Sequence, residues 1–507
     1  MSEYRLHRVL VAAAALLTAS GSMAQVRFDR TGPAIPVTTG VRFDHNAVDV
    51  NGDGYVDAAA LSFLMASNST EYSIRLLDAV NRTVTTRQFP GGKGFLFTFG
   101  DYDGDGDQDL LSVGGNQPDN QIFFNDGSGN FAFRVTPVLP NVALGGRALA
   151  VDFDRDGDDD ILCVNDQGLV LLYGNKGVFK DETARIALNS KVHGMIVADF
   201  NADGRPDICA STADSSKKIV IWHQDASGQF SSVSSFVAHS VKLPYLAAAD
   251  IDSDGDLDIF AAENLGQDRL YEAKGGTWVD ATSTRLPSPI RGLTIQNPSF
   301  VDLDEDGDLD LVIPKSKGFG TTVDRTRIYV NDGKGIYSDV TMAVMKEEGQ
   351  FFADVLVQDF DLDGDVDLGF VETVGGASVL GVERNMTRQV AMPVTTKLNT
   401  TLVVDFYARA GYAPAGQMSL PLLSFGQQAT AIGLGSFGFL SVDLTSMVIG
   451  PALSHTVTTG KATLTIPVPP IATLHGTDVY MQALVMHQPA NPASWRMSNA
   501  AVTTLTR

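Results

Sequence analysis

The residues of this 507-residue chain best suited to chemistry are acidic side chains that recur at fixed offsets. The nine-residue pattern D-x-[DN]-x-D-G-x-x-D occurs seven times and begins at Asp49, Asp101, Asp152, Asp199, Asp250, Asp302 and Asp359. We number these segments loops 1 to 7 and their residues positions 1 to 9. Position 6 is always glycine, which permits a sharp turn that gathers the surrounding oxygens at one point. Several hard oxygen ligands at flexible angles suit Ca²⁺, whereas Mg²⁺ favours a tighter octahedron with retained waters.

The loops therefore predict up to seven calcium sites, one in each. Positions 1, 3, 5 and 9 would bind through side-chain oxygens, and position 7 through its main-chain carbonyl. The candidate ligands are Asp49, Asn51, Asp53, Tyr55 and Asp57 in loop 1; Asp101, Asp103, Asp105, Asp107 and Asp109 in loop 2; Asp152, Asp154, Asp156, Asp158 and Asp160 in loop 3; Asp199, Asn201, Asp203, Arg205 and Asp207 in loop 4; Asp250, Asp252, Asp254, Asp256 and Asp258 in loop 5; Asp302, Asp304, Asp306, Asp308 and Asp310 in loop 6; and Asp359, Asp361, Asp363, Asp365 and Asp367 in loop 7.

The charge of the chain agrees with this interpretation. The net charge is −23, which argues against a nucleic-acid partner because such proteins present basic surfaces to phosphate. The acidic excess lies within residues 25–390 and matches the number of aspartates at the ligand positions. Clustered carboxylates repel one another unless a cation lies among them.

Plain Asp-Gly turns and EF-hands are the two alternatives to calcium loops of this kind. A plain turn does not require four oxygen-bearing side chains at fixed offsets. An EF-hand ends in a bidentate Glu at position 12 and is flanked by helices. Position 12 here holds Ala60, Ser112, Cys163, Ala210, Ala261, Ile313 and Phe370, and the residues after each loop are short apolar runs typical of buried strands.

The loops recur every 47 to 57 residues, which indicates one repeated supersecondary unit. Each repeat contains an apolar strand before the loop, a second after it, a third such as residues 121–125 or 327–331, and a fourth after a Gly-rich turn. Four short strands with tight turns are typical of one propeller blade, so an all-β, seven-bladed β-propeller is predicted for residues 25–390.

The ends of the repeat array predict how such a ring would close. An aromatic-x-Asp-x-Thr signature marks the fourth strand, for example at Phe179 and Tyr337. No such signature follows the third strand of the last repeat, near Val379–Asn385, but one like it begins the array at Phe28. We therefore expect residues 28–31 to complete the seventh blade and to cover an exposed sheet edge.

With these seven loops, residues 25–390 resemble the FG-GAP/VCBS repeat family, whose calcium-loop β-propellers also form the head of the integrin α subunit. The resemblance implies the propeller fold and Ca²⁺ binding by positions 1, 3, 5, 7 and 9 of every loop. It does not imply an integrin role, because the chain has no RGD-type ligand, no inserted metal-dependent adhesion domain and no known partner motif.

Residues 391–507 differ in composition from the repeats. They contain no Glu and three Asp, and alternating apolar residues in 464–468 and 479–486 predict a small β-sandwich-like module. This module faintly resembles the C-terminal modules of exported bacterial repeat proteins. Binding of a sugar, docking to a surface and a purely structural capping role all remain open, since a fold class does not fix a function.

Two further features concern the compartment. Residues 1–24 combine a short basic start, an apolar run and a small-x-Ala ending, and predict a signal peptide cleaved between Ala24 and Gln25. We therefore expect the protein to be secreted, periplasmic or at the cell surface, without a membrane span. Cys163 and Cys209 follow their loops at offsets that differ by one residue, so in strands they would face opposite sides and remain two buried free thiols.

No catalytic motif is evident: the chain lacks G-x-S-x-G, H-E-x-x-H, P-loop and C-x-x-C patterns. The sequence therefore favours a non-enzymatic, monomeric binding or scaffold module for an extracellular glycan or protein. The alternatives are a polysaccharide lyase or glycoside hydrolase built on a calcium-rich propeller, and a purely structural spacer.

Overall fold

A computed structural model describes most of the chain between residues 28 and 506. The residues it leaves undescribed in that range are 31–34, 40, 54–55, 65–68, 79–82, 91–95, 115–119, 134–138, 187–189, 213–217, 238–244, 264–266, 288–292, 295–297, 305–306, 317–325, 342–351, 361–364, 375–376, 386–389, 394, 408–417, 434–438, 457–460, 487–494 and 499–500. The predicted signal peptide, residues 1–24, lies outside the described residues.

The repeat region consists of short antiparallel strands. After β1 (Phe28–Arg30) and β2 (Ile35–Thr39), the strands are β3 (Val41–Val48), β4 (Asp57–Leu64), β5 (Ser69–Asp78) and β6 (Thr83–Pro90) in sheet 1; β7 (Leu96–Gly100), β8 (Asp109–Val113), β9 (Gln121–Asn125) and β10 (Phe131–Phe133) in sheet 2; β11 (Ala148–Val151), β12 (Asp160–Asn165), β13 (Gly168–Asn175) and β14 (Val178–Asp181) in sheet 3; and β15 (Val192–Ala198), β16 (Asp207–Thr212), β17 (Lys218–Gln224) and β18 (Phe230–Val237) in sheet 4. They continue with β19 (Tyr245–Ala249), β20 (Asp258–Ala262), β21 (Arg269–Lys274) and β22 (Thr277–Asp280) in sheet 5; the pair β23 (Leu293–Thr294) and β26 (Lys315–Ser316); β24 (Ser299–Val301), β25 (Asp310–Ile313), β27 (Arg327–Asn331) and β28 (Tyr337–Asp339) in sheet 6; and β29 (Phe352–Gln358), β30 (Asp367–Val374) and β31 (Ala377–Asn385) in sheet 7.

Sheet 7 is completed from the start of the chain, as predicted. Strand β1 pairs antiparallel with β31, with Phe28 opposite Asn385 and Arg30 opposite Glu383, and β2 pairs with the other end of β31. The first strand of sheet 7, β29, contacts the first strand of sheet 1, β3. Because consecutive sheets also pack together, the array closes into a ring, and the expectation of an all-β, propeller-like fold is confirmed.

The core of the repeat region lies between neighbouring sheets. One apolar cluster combines Tyr102 and Leu111 of sheet 2 with Ile161 and Leu172 of sheet 3, and similar clusters join sheets 3 and 4, 4 and 5, 5 and 6, and 6 and 7. The second strands β8, β16 and β20 are buried at every residue because a sheet covers each of their faces. This explains why their sequences show no regular alternation of apolar and polar residues.

The two cysteines occupy different clusters. Cys163 packs between sheets 2 and 3, and Cys209 packs between sheets 4 and 5. Both are buried free thiols, which confirms the expectation drawn from their offsets.

The C-terminal residues form further β-structure around a separate apolar core. Their strands are β32 (Val390–Ala391), β33 (Thr395–Lys397), β34 (Thr401–Tyr407), β35 (Met418–Ser424), β36 (Gln427–Gly433), β37 (Phe439–Val442), β38 (Val448–Ile449), β39 (Leu453–Ser454), β40 (Lys461–Pro467), β41 (Asp478–Met486), β42 (Trp495–Met497) and β43 (Ala501–Thr506). The sheet β32-β34-β40 packs on the sheet containing β33, β43, β41, β35 and β38, with Phe406 and Met481 fully buried between them. The division into two domains at residue 390 stays a prediction.

Helices are short in the described parts of the chain. They include α1 (Thr282–Arg285) and the 3-10 turns Thr183–Arg185 and Ala472–Leu474. No helix among the described residues has the length and apolar character needed to cross a membrane.

Candidate metal centres

Each acidic loop joins the first strand of a sheet to its second strand, so the EF-hand alternative is excluded for the described loops. In loop 2, Asp101 at position 1 shapes the turn by accepting main-chain hydrogen bonds from Gly104 at 2.8 Å and from Gly106 at 2.9 Å. Gly106 has a φ of 92°, and no atom lies within 4 Å of where its Cβ would be. Glycine is therefore required at position 6 by the backbone conformation and not by lack of space.

The aspartate at position 9 is anchored by two main-chain hydrogen bonds in loops 2 to 7. Asp109 is fully buried at the start of β8, and its two oxygens accept main-chain hydrogen bonds from Tyr102 at 3.1 Å and Asn125 at 2.8 Å. It thereby fixes the loop to both the second and the third strand of its sheet. The same pair of bonds is made by Asp160, Asp207, Asp258, Asp310 and Asp367.

The sequence pattern did not reveal this anchoring, because it predicts position 9 only as a ligand. A signal for it exists in the sequence, since position 9 is always Asp and is followed by an apolar run. An acid that begins a buried strand needs hydrogen-bond donors, and main-chain N–H groups are the nearest ones.

Four loops bring three carboxylates together, with one oxygen of each within 4.8 Å of the others. The groups are Asp101, Asp103 and Asp109 in loop 2; Asp152, Asp154 and Asp160 in loop 3; Asp250, Asp252 and Asp254 in loop 5; and Asp302, Asp304 and Asp310 in loop 6. Positions 1, 3 and 9 thus converge in loops 2, 3 and 6, and positions 1, 3 and 5 converge in loop 5.

The remaining predicted ligands do not gather in this way among the described residues. Position 5 is exposed in loops 2 and 3, at Asp105 and Asp156. Loops 1 and 4 have Asn at position 3, and their described aspartates form no such group. Tyr55, Asp306, Asp361 and Asp363 lie outside the described residues.

Burial makes the position 9 carboxylates difficult to ionise without a nearby positive charge. It raises the pKa of Asp109, Asp160 and Asp258 to about 7, and neighbouring loop carboxylates add to the increase, while the main-chain hydrogen bonds oppose it. In loop 5, Oδ1 of Asp252 is shielded from solvent and has no hydrogen-bond partner. A divalent cation would satisfy this oxygen and offset the mutual repulsion, so the donor set fits Ca²⁺.

Arginine side chains already compensate part of the charge in two loops. In loop 4, Arg205 at position 7 pairs with Asp203 and donates through Nε to the carbonyl of Gln224 at 3.0 Å. In loop 5, Arg285 of α1 lies 3.1 Å from Oδ2 of Asp252. With Asn201 and Arg205 both present, loop 4 carries the smallest negative charge of the seven loops.

Comparison with known proteins agrees with the repeat structure. The family model of the FG-GAP-like repeat matches residues 101–163, 152–210, 199–261 and 250–313, each match beginning at position 1 of a loop. The T-cell immunomodulatory protein of Rattus norvegicus is 26% identical over 258 residues, which cover 46% of this chain and 40% of that protein. The chain thus spans less than half the length of this curated relative. Residues 101–313 thus consist of four consecutive FG-GAP-like repeats, whose acidic loops each join the first and second strands of a sheet.

Proposed function

We propose that this chain is a calcium-stabilised binding or scaffold module that acts outside the cytoplasm and recognises an extracellular glycan or protein. Its propeller would comprise residues 25–390 with up to seven calcium ions, followed by a sandwich-like module in residues 391–507. The convergence of three carboxylate oxygens within 4.8 Å in loops 2, 3, 5 and 6 supports the calcium sites most directly. In each, the main-chain hydrogen bonds leave lone pairs on the same oxygens for a metal.

The size of the stabilisation expected from bound ions supports a structural role for calcium. At a free concentration 100-fold above Kd, each independent site stabilises the folded chain by about 2.7 kcal/mol. Several such sites together equal or exceed the roughly 5–15 kcal/mol that stabilises a typical domain. The candidate ligands of each site all come from one turn between the first and second strands of a sheet, so each ion would stabilise that turn.

A non-enzymatic role is supported by the repeats themselves and by the relative. FG-GAP-like repeats supply a ring of sheets whose connecting loops are available for recognition. The name of the rat relative describes immunomodulation and no reaction. For this chain we infer recognition of a protein or glycan surface, with the predicted signal peptide directing it out of the cytoplasm.

The calcium proposal is tested by thermal unfolding with and without metal. We expect EDTA to lower the Tm of the purified protein by more than 10 °C, excess Ca²⁺ to restore it and Mg²⁺ to restore it only in part. Asp101→Asn and Asp302→Asn should reduce the calcium-dependent increase, whereas Asp126→Asn, in an exposed turn outside the loops, should retain it. An identical Tm in EDTA and in Ca²⁺ would overturn the proposal.

The recognition proposal requires a binding assay. The mature protein, loaded with Ca²⁺, is applied to a glycan array and used to capture proteins from an extracellular fraction, with the EDTA-treated protein as control. Saturable, calcium-dependent binding without product formation supports the proposal. Release of unsaturated or reducing sugar from a polysaccharide would show instead that the chain is an enzyme.

A further inference from the structure

Buried carboxamide side chains connect the acidic loops to neighbouring sheets. Each belongs to the residue that ends the third strand of a sheet, and its nitrogen donates a hydrogen bond to the carbonyl at position 2 of the preceding loop. Among the described residues the donor–acceptor pairs are Asn125 to Val50 at 2.7 Å, Gln224 to Phe153 at 3.0 Å, Asn331 to Ile251 at 2.8 Å and Asn385 to Leu303 at 2.8 Å. These carboxamide residues are at most 6% exposed, so water does not replace the bonds.

The main-chain N–H of each of these carboxamide residues donates to the position 9 aspartate of the loop in its own sheet. One residue therefore contacts two successive loops. Loops 5, 6 and 7 are joined in this way by an unbroken series. The series runs from the carbonyl of Ile251 to the side chain of Asn331 (2.8 Å), from the N–H of Asn331 to Asp310 (2.9 Å), from Asp310 to the N–H of Leu303 (3.0 Å), from the carbonyl of Leu303 to the side chain of Asn385 (2.8 Å) and from the N–H of Asn385 to Asp367 (2.7 Å).

The bonded carbonyl lies between two candidate ligands. Ile251 is flanked by Asp250 and Asp252, so the position of its peptide groups sets the directions in which both carboxylates point. A shift of Asp310 when loop 6 takes up a cation would move the main chain of Asn331, and the carboxamide would transmit that shift to loop 5. A contiguous set of hydrogen bonds between two sites is a physical basis for energetic coupling.

We propose that Asn331 is a positioning residue that couples loops 5 and 6, so that a divalent cation in loop 6 raises the affinity of loop 5 for its own cation. This inference rests on the proposed calcium sites. Coupling of this kind changes affinity by about 5-fold or more. Because the carboxamide nitrogens donate to main-chain carbonyls and not to the ligand carboxylates, they act through the loop that they hold.

The chain contains a natural break in the series. Sheet 5 has Ala273 at the position equivalent to Asn331, and its N–H donates to Asp258 at 2.7 Å in the usual way. An alanine has no carboxamide, so it cannot donate a side-chain hydrogen bond to loop 4. Loop 5 is therefore linked to sheet 6 by a carboxamide hydrogen bond, whereas Ala273 provides no such bond to loop 4.

Trp278 offers a way to observe loop 5 by itself. Its indole Nε1 donates to the carbonyl of Leu257, at position 8 of loop 5, at 3.3 Å. We therefore use Tb³⁺ as the probe ion, excite tryptophan and assign to loop 5 the luminescence that is lost in Trp278→Phe. Asp302→Asn in loop 6 is then compared with Asp199→Asn in loop 4, the same substitution at position 1 on either side.

We expect Asp302→Asn to weaken Tb³⁺ binding at loop 5 by about 5-fold more than Asp199→Asn does. Equal effects of the two substitutions, or no effect of either, would overturn the coupling. Absence of any Tb³⁺ or Ca²⁺ binding by the wild-type protein would overturn the proposed function instead, so the two failures are distinguishable.

The role of the carboxamide is tested in a double-mutant cycle. Asn331→Asp retains the oxygen that accepts hydrogen bonds from Gly333 and Gly335, but places an acceptor against the carbonyl of Ile251. In this background Asp302→Asn should no longer affect loop 5. A persisting effect would exclude Asn331 as the link.

Asn165→Asp is the matched control. Asn165 also donates to a main-chain carbonyl, that of Ala143 at 3.0 Å, and accepts from Gly168, but it lies at the end of β12 remote from loop 3. The effect of Asp302→Asn should persist in this background, and its loss would overturn the assignment to Asn331. If Asn331→Asp fails to fold by circular dichroism, Asn331→Ala takes its place in the cycle, because sheet 5 carries an alanine, Ala273, at the equivalent position.

Discussion

Replacing Asp109 by alanine separates the anchoring role of position 9 from any role in metal binding. Both oxygens of Asp109 accept main-chain N–H groups, those of Tyr102 and Asn125, and all three residues are buried. Asp109→Ala leaves two buried donors without an acceptor. Each such group costs about 1–3 kcal/mol, so we expect the free energy of unfolding to fall by about 2–6 kcal/mol even in EDTA. That loss is a large part of the roughly 5–15 kcal/mol that stabilises a typical domain.

The assay is urea unfolding followed by circular dichroism, in EDTA and in excess Ca²⁺. Asp105→Ala is the control in the same loop, because Asp105 is exposed and accepts a main-chain hydrogen bond only from Asp107 among its described contacts. We expect this control to lose stability in Ca²⁺ but hardly in EDTA, whereas Asp109→Ala loses stability in both. If Asp109→Ala in EDTA unfolds within about 1 kcal/mol of the wild type, the reasoning on buried main-chain donors is wrong.

Three further predictions concern the ring closure, the thiols and a buried ion pair. Deletion of residues 25–32 removes β1 and uncovers an edge of β31, so the Tm should fall by clearly more than a few degrees in a thermal melt, and a smaller change would refute the closure. Because burial raises the pKa of Cys163 to about 12 and Cys209 is equally enclosed, neither thiol should react with a thiol reagent until the chain unfolds; rapid labelling of the native protein would contradict this. Lys315, 1% exposed, lies 2.8 Å from Oδ2 of Asp268, so Lys315→Met should cost about 3–5 kcal/mol in urea unfolding by leaving a buried charge unpaired. The double variant with Asp268→Leu should recover most of that loss, and no recovery would argue against the pairing.

The sequence determined the features that depend on local spacing. The offsets of the loop aspartates and the glycine at position 6 encode a turn within nine residues, and loops 2 to 5, which the structure describes in full, form this turn between the first and second strands of their sheets. The even period encodes the repeated sheet, and the signature at Phe28 predicted the pairing of β1 with β31. The turn and the repeated sheet were predictable because they depend on residues close in sequence. The pairing of β1 with β31 was predictable because the fourth-strand signature is absent after the last repeat and present before the first.

Tertiary structure alone decided which side chains meet across sheets. Asn331 reaches Ile251, 80 residues earlier, and Asn385 reaches Leu303, 82 residues earlier, and no local pattern distinguishes these carboxamides from others that end a strand. The partnership of Arg285 with Asp252 also follows only from the placement of α1 against loop 5. Local spacing fixes the shape of each loop, but the distance between groups on different sheets depends on how the sheets pack, which the apolar cores between them determine.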